Sequence, residues 1–155
     1  FRINMSGDDA AGLAVANSYR SQQAVLNQGI RNANDGLSTL QIKDGALNNI
    51  STLLDRMATL ASQSASASSG VNRTVLNDEF QDVISEINRE ANVAGLATSG
   101  GFSVFVSSNG TDGVVSGTLG AADATDLGVA SLDISTAGGA ATAVSTIATA
   151  VSTLG

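Results

Sequence analysis

LNQGIRNANDGLSTLQIKDGALNNISTLLDRMATLA, residues 26–61, carries the pattern that decides the fold. Leu26, Ile30, Ala33, Leu37, Leu40, Leu47, Leu54 and Ala58 fall on one helical stripe, with Asp44 and Ser51 as polar interruptions. Ile50, Leu53, Met57, Leu60 and Ala61 form a second track beside it. Apolar residues three and four apart keep to one face of an α-helix, as in a coiled-coil seam. No proline interrupts the pattern, which extends outward to residues 6–67. At the helical rise that stretch reaches roughly 90 Å. A compact domain of this length has a radius of gyration near ~15 Å, so the expectation is an elongated antiparallel helical bundle, a coiled-coil rod.

The four glycines inside this pattern, Gly12, Gly29, Gly36 and Gly45, each weaken a helix by up to ~1 kcal/mol relative to Ala. Tertiary or intersubunit packing must therefore hold the helix. The glycines serve either gentle bending or the close approach of a neighbouring backbone. Upstream, Ser6-Gly7-Asp8-Asp9 reads as a helix start, with Ser6 as N-cap and acid near the positive end of the dipole.

Beyond the long helix the signals change. A turn is expected at Ser68-Ser69-Gly70, then a second helix over 72–92 with Leu76, Phe80, Val83, Ile84, Ile87 and Ala91 on its apolar side. Asp78, Asp82 and Glu86 recur on another face of it and read as a solvated stripe, since no loop supplies the carbonyls that calcium prefers. Phe102–Val106 and Val114–Leu119 flank Asn109-Gly110-Thr111-Asp112-Gly113, a β-hairpin signal over 102–119. Two strands alone are marginal, so the hairpin should pack onto the helices. A loop over 120–134 leads to a third helix over 136–155, capped by Ser135 or Thr136, with the stripe Ala140, Val144, Ile147, Val151 and Leu154. The expected order is α-α-β-β-α in a single, mainly α domain spanning residues 1–155.

Composition excludes several function classes. There is no Cys, no His and no Trp, which removes thiolate nucleophiles, the usual general base and most zinc chemistry. No catalytic, cofactor-binding or metal-binding constellation is present, and the chain reads as a non-enzyme. A net charge of −7, with the single Lys43 and scattered Arg residues, argues against nucleic acid. Charged residues make up 14% of the chain, against a usual ~25%. The remaining polarity is Ser, Thr, Asn and Gln, which suits either a hydrogen-bonded interface in an assembly or a plain secreted surface. The uncharged run over 134–155 holds too many hydroxyls for hydrocarbon, so no membrane insertion is expected. The Asn-x-Ser/Thr triplets at Asn4, Asn49, Asn72 and Asn109 arise freely in a chain this rich in Ser and Asn. Phe1 is not an initiator Met, and Gly155 cuts a helical pattern in progress, so a fragment is expected.

Certain segments resemble a known family. Arg2-Ile3-Asn4 with Asp8-Asp9-Ala10-Ala11-Gly12-Leu13-Ala14-Val15-Ala16 closely resembles the amino-terminal segment of bacterial flagellin. Leu26-Asn27-Gln28, Arg31-Asn32-Ala33-Asn34-Asp35-Gly36 and Gly45-Ala46-Leu47-Asn48 continue the likeness. Leu127-Gly128 and Leu132-Asp133-Ile134-Ser135-Thr136 are similar to the approach to the family's carboxy-terminal helix. The resemblance implies the inner rod domain of a structural subunit, exported by the flagellar secretion apparatus and packed against other flagellin subunits in an extracellular filament. On this resemblance, the family's terminal assembly segments and large outer domains are expected to have no counterpart in these residues.

The resemblance also implies a surface recognised by Toll-like receptor 5, with Arg56, Leu60, Gln63 and Glu79 matching the family's contact positions. The Arg-Glu pair that usually precedes the leucine is replaced by Ala58-Thr59. As plain structure, Leu60 is equally a core residue and Arg56 a partner for an acid. A second class stays open: a flagellin-like cell-surface binding protein or adhesin, for instance for glycans. Tyr19 and the four Phe offer few aromatic platforms for sugars.

Overall fold

The computed structural model describes residues 10–66 and 72–154. It is mainly α, with three helices and a two-stranded antiparallel sheet. In order these are α1 (Ala10–Ala65), α2 (Arg73–Val93), β1 (Gly100–Phe105), a 3-10 turn (Gly110–Gly113), β2 (Val114–Leu119) and α3 (Ala137–Leu154). The expected Ser6 cap and Ser68-Ser69-Gly70 turn lie outside the described residues. The chain divides into two compact units, residues 1–39 with 101–117 and residues 40–100 with 118–155.

In the second unit α2 and α3 both pack antiparallel to α1. Side-chain links join Ser64 to Arg73, Arg56 to Glu79 and Asn49 to Glu90, so positions fall along α1 as they rise along α2. Ile50, Leu54, Met57, Leu60 and Ala61 of α1 meet Phe80, Ile84, Ile87 and Ala91 of α2, all buried, with Leu76 and Val83 partly so. The α2 termini obey local rules. The Asn72 side chain accepts from the Val75 N–H at the start. At the end Gly95 takes a left-handed φ of 66°, with Leu96 N–H bonded to the Ala91 carbonyl and Gly95 N–H to that of Asn92. That closing motif needs a residue without a Cβ penalty. No basic residue lies in the last turn of α1. Arg73 of α2 supplies the missing charge, donating to the Ser64 carbonyl at 2.9 Å and the Ser66 carbonyl at 2.7 Å.

One expectation needs correction here. The stripe expected on α3 was Ala140, Val144, Ile147, Val151 and Leu154. The buried face is instead Ala140, Ala143, Ile147 and Ala150, while Val144 and Val151 are exposed. The stripe is rotated towards the small residues, which let the helix backbones come close. Thr136 rather than Ser135 caps α3, its hydroxyl accepting from Gly139 N–H at 3.1 Å. By length and composition α3 could cross a membrane, but its alanine face belongs to this core. The connection over 120–134 carries no helix or strand, yet it enters the core. Ala122, Ala124, Leu127, Val129 and Ile134 are buried in the core. Its backbone is tied to α2 where Asn88 Oδ1 accepts from Ala124 N–H and Asn77 Oδ1 from Ile134 N–H. The buried Ser64 hydroxyl donates to the Ile134 carbonyl at 2.5 Å, and among the described residues no buried side-chain polar atom lacks a partner.

In the first unit the hairpin lies on α1 along its glycines. A Cβ at Gly29 would sit within 2.9 Å of Val106 Cα and collide with the Val106 carbonyl. One at Gly36 would lie 2.5 Å from Val104 Cγ2 and 3.1 Å from Phe102 Cζ. Between them Asn32 donates to the Phe105 carbonyl at 2.9 Å. Close approach, rather than bending, explains these two glycines. Gly45 has nothing within 4 Å.

Candidate interaction surface

The seam read from the sequence is covered along only part of α1. Towards the carboxy end its residues form the core, but Leu26, Ile30 and Leu37 are exposed. Val15 and Tyr19 are exposed as well, Tyr19 by 67%. At about 100° per residue these five positions fall within about 60° of arc. They form an apolar strip in the first unit, interrupted at Gln22 and Gln23 between Tyr19 and Leu26 and distinct from the Gly29, Asn32 and Gly36 side that receives the hairpin. Val15 and Tyr19 were absent from the sequence-derived stripe. The period of 3.6 extends to them, but periodicity cannot tell whether a stripe is covered. An apolar strip of this kind marks a candidate interaction surface.

The four receptor-contact positions are brought together only in part. Arg56 and Glu79 form an ion pair across α1 and α2, with Arg56 Nε donating to Glu79 Oε1 at 3.0 Å and Nη2 to the same oxygen. Both side chains are about half exposed, so the pair adds little stability by itself. Gln63 lies seven residues along the same side of α1 and is exposed. Leu60 is 1% exposed and packs in the core. Both structural readings of the sequence are therefore realised: Arg56 partners an acid, and Leu60 is a core leucine.

Of the acidic stripe of α2, Glu86 is paired locally. Arg89 donates to both oxygens of Glu86 and to Glu90, which also accepts from Asn49 Nδ2. The Arg89 hydrogen bond holds the Glu86 carboxyl below its ordinary value, and the Glu86 carboxylate raises the Arg89 guanidinium. Asp78 and Asp82 are exposed. In the connection before α3, a hydrogen bond with Asp123 raises Asp126, whereas the Ser135 hydroxyl and N–H lower Asp133. The geometry is that of a surface that packs and pairs.

A long helix with a second helix folded back on it, a small hairpin and a returning third helix define a mainly α protein built on helix packing. Residues 1–100 match the family model described as bacterial flagellin N-terminal helical region, and the chain belongs to the bacterial flagellin family. It is 41% identical over 122 residues to polar flagellin F of Vibrio parahaemolyticus, covering 78% of this chain and 31% of that protein. It is 45% identical over 89 residues to a flagellin of Halalkalibacterium halodurans, covering 57% of this chain and 33% of that one. The chain thus matches about a third of the length of these relatives. Among solved structures, Bacillus cereus flagellin aligns with a TM-score of 0.67 and 26% identity, covering 80% of this chain and 76% of that one.

Proposed function

We propose that this chain is the helical rod portion of a subunit of the bacterial flagellar filament, exported by the flagellar secretion apparatus and packed outside the cell against other copies. The observation that carries this reading is the exposed strip Val15, Tyr19, Leu26, Ile30 and Leu37 in a chain of the flagellin family. An apolar strip left in water is unfavourable by roughly 25 cal/mol for each Å², so burying it against a neighbouring subunit drives assembly. Head-to-tail contacts between unlike surfaces generate open filaments. The low charge of the chain reduces the desolvation opposing such packing. In a flagellin-null strain carrying the full-length gene, Leu26→Asp and Ile30→Asp should be secreted and helical yet form no filament and no swimming cells. Both positions are exposed, so neither substitution disturbs the core. Normal filaments from both variants would refute the reading.

A second reading concerns immune recognition, favoured by the exposed group Arg56, Glu79 and Gln63 bridging α1 and α2. In this proposal Toll-like receptor 5 contacts those three polar side chains, with Leu60 supporting them from beneath. An interface arginine of this kind is worth ~2 kcal/mol or more when truncated. Arg56→Ala should weaken receptor binding in a titration while circular dichroism stays unchanged. Equal affinities for wild type and variant, or no binding by the wild type, would remove this reading and leave the filament proposal intact.

A further inference from the structure

The hairpin tip holds the chain's sole Asn-Gly step, Asn109-Gly110. Asparagine is thermolabile because the backbone nitrogen of the next residue can attack its side-chain carbonyl. Glycine at that next position leaves the attacking nitrogen uncrowded, because it carries no Cβ. Whether the reaction proceeds in a folded chain depends on what holds the two groups.

At the tip very little holds them. Asn109 is exposed, and its side chain makes no capping hydrogen bond. Gly110 opens a 3-10 turn with φ of 52°, so its N–H is among those a helical turn leaves without an internal acceptor. Among the described residues, the Asn109 backbone is held by its N–H to Ser107 Oγ at 3.4 Å and its carbonyl to Asp112 N–H at 3.1 Å. The flanks, in contrast, are fixed: Val106 and Ser107 both donate to the Gly113 carbonyl, and Gly113 is buried against Ser107.

The other asparagines among the described residues are restrained. Asn77, Asn88 and Asn72 use their side-chain carbonyls to accept from Ile134, Ala124 and Val75. Those inside α1 and α2 precede N–H groups held in the helical ladder.

We propose that Asn109 is a self-modification site of the hairpin, converting spontaneously through a cyclic imide. The Gly110 amide nitrogen gives its proton to solvent base and bonds to Asn109 Cγ. The Cγ–Nδ2 bond breaks, and the nitrogen leaves as ammonia. One water then opens the five-membered ring at either carbonyl, yielding aspartate or isoaspartate. The net change is amide plus water to carboxylate plus ammonium, with no oxidant or reductant. A second carboxylate joins Asp112 at the tip, and the isoaspartate product reroutes the backbone there by one carbon. The seat on Gly29 and Gly36 is untouched, so the strands stay docked. This chemistry is independent of the filament reading.

The test incubates the whole chain, folded, in warm, mildly alkaline buffer, followed by peptide mapping and enzymatic methylation of isoaspartate. The expected result is a mass gain of an amide-to-acid exchange, with isoaspartate, at Asn109 before any other asparagine. Its rate should rise about tenfold per pH unit, as the deprotonated amide does. In Asn109→Gln, whose longer side chain disfavours the ring, the signal at the tip should be lost while helicity persists. Earlier conversion at another asparagine would overturn the proposal. So would resistance of the folded chain with conversion only in denaturant, or isoaspartate without mass gain mapped to Asp112-Gly113.

Discussion

Replacing glycine by alanine at three positions of α1 should have effects of different sign, although local propensity assigns all three the same one. In a helix interior Ala is favoured over Gly by up to ~1 kcal/mol. At Gly45 nothing lies within 4 Å of the added methyl, so Gly45→Ala should raise stability by ~0.5–1 kcal/mol. At Gly29 the methyl meets the Val106 backbone, with Cα at 2.9 Å. A backbone cannot rotate away, so the hairpin must lift, and the Asn32 bond to the Phe105 carbonyl goes with it. Overpacking of this kind destabilises by ~1–3 kcal/mol, and a lost hydrogen bond adds ~1 kcal/mol. After the propensity gain is subtracted, Gly29→Ala should destabilise hairpin docking by ~1–3 kcal/mol. Gly36→Ala should fall between, because its contacts are the Val104 and Phe102 side chains, which can shift. Thermal unfolding followed by circular dichroism gives the global effect. Amide hydrogen exchange over residues 100–119 isolates the hairpin, which can open without the rest. If all three substitutions raise the melting temperature, or if exchange in the hairpin is unchanged in Gly29→Ala, the argument for glycine-seated docking is wrong.

Core and surface should separate cleanly on adjacent residues: Leu54→Ala, at a fully buried site, is expected to lose ~2–5 kcal/mol, and Asp55→Ala under ~1 kcal/mol, measured by chemical denaturation. Arg73→Ala removes two charge-assisted bonds to the last carbonyls of α1 and should destabilise by ~1.5–3 kcal/mol; full retention of stability would show that water replaces the guanidinium there. On acidification, carboxylate NMR should show Asp126 protonating above the ordinary 3.8 and Asp133 below it. The signs are opposite. Asp133, lowered, contributes stability above its unfolded value that is lost as pH falls through its folded value. Asp126, raised, favours folding below its unfolded value, and that contribution disappears as pH rises through its folded one. Titration in the reverse order would contradict the hydrogen bonds to Ser135 and Asp123.

The helices, the hairpin and their order follow from local codes: the three-and-four spacing of apolar residues, the Asn72 cap, Gly95 after the last turn of α2, and the turn residues between two β-forming runs. Each operates within a few residues, so the sequence by itself determined them, and the Arg2–Asn4 and Asp8–Ala16 segments were enough to suggest the family. What the sequence could not decide was coverage. The same stripe runs from Leu26 to Ala58, yet Leu54 is buried and Leu26 exposed, because periodicity sets the phase of a helix and not the presence of a neighbour. Gly29, Gly36 and Gly45 look alike in the chain, but only the first two receive a hairpin from residues more than sixty positions away. Leu60 matched a receptor-contact position and lies in the core. Val144 and Val151 matched the α3 stripe and face outward, since close packing selected the alanine side instead. The irregular connection over 120–134 supplies core residues because Asn77 and Asn88 bind its backbone. In each case the deciding contact joins positions distant in sequence, and only the tertiary structure brings them together.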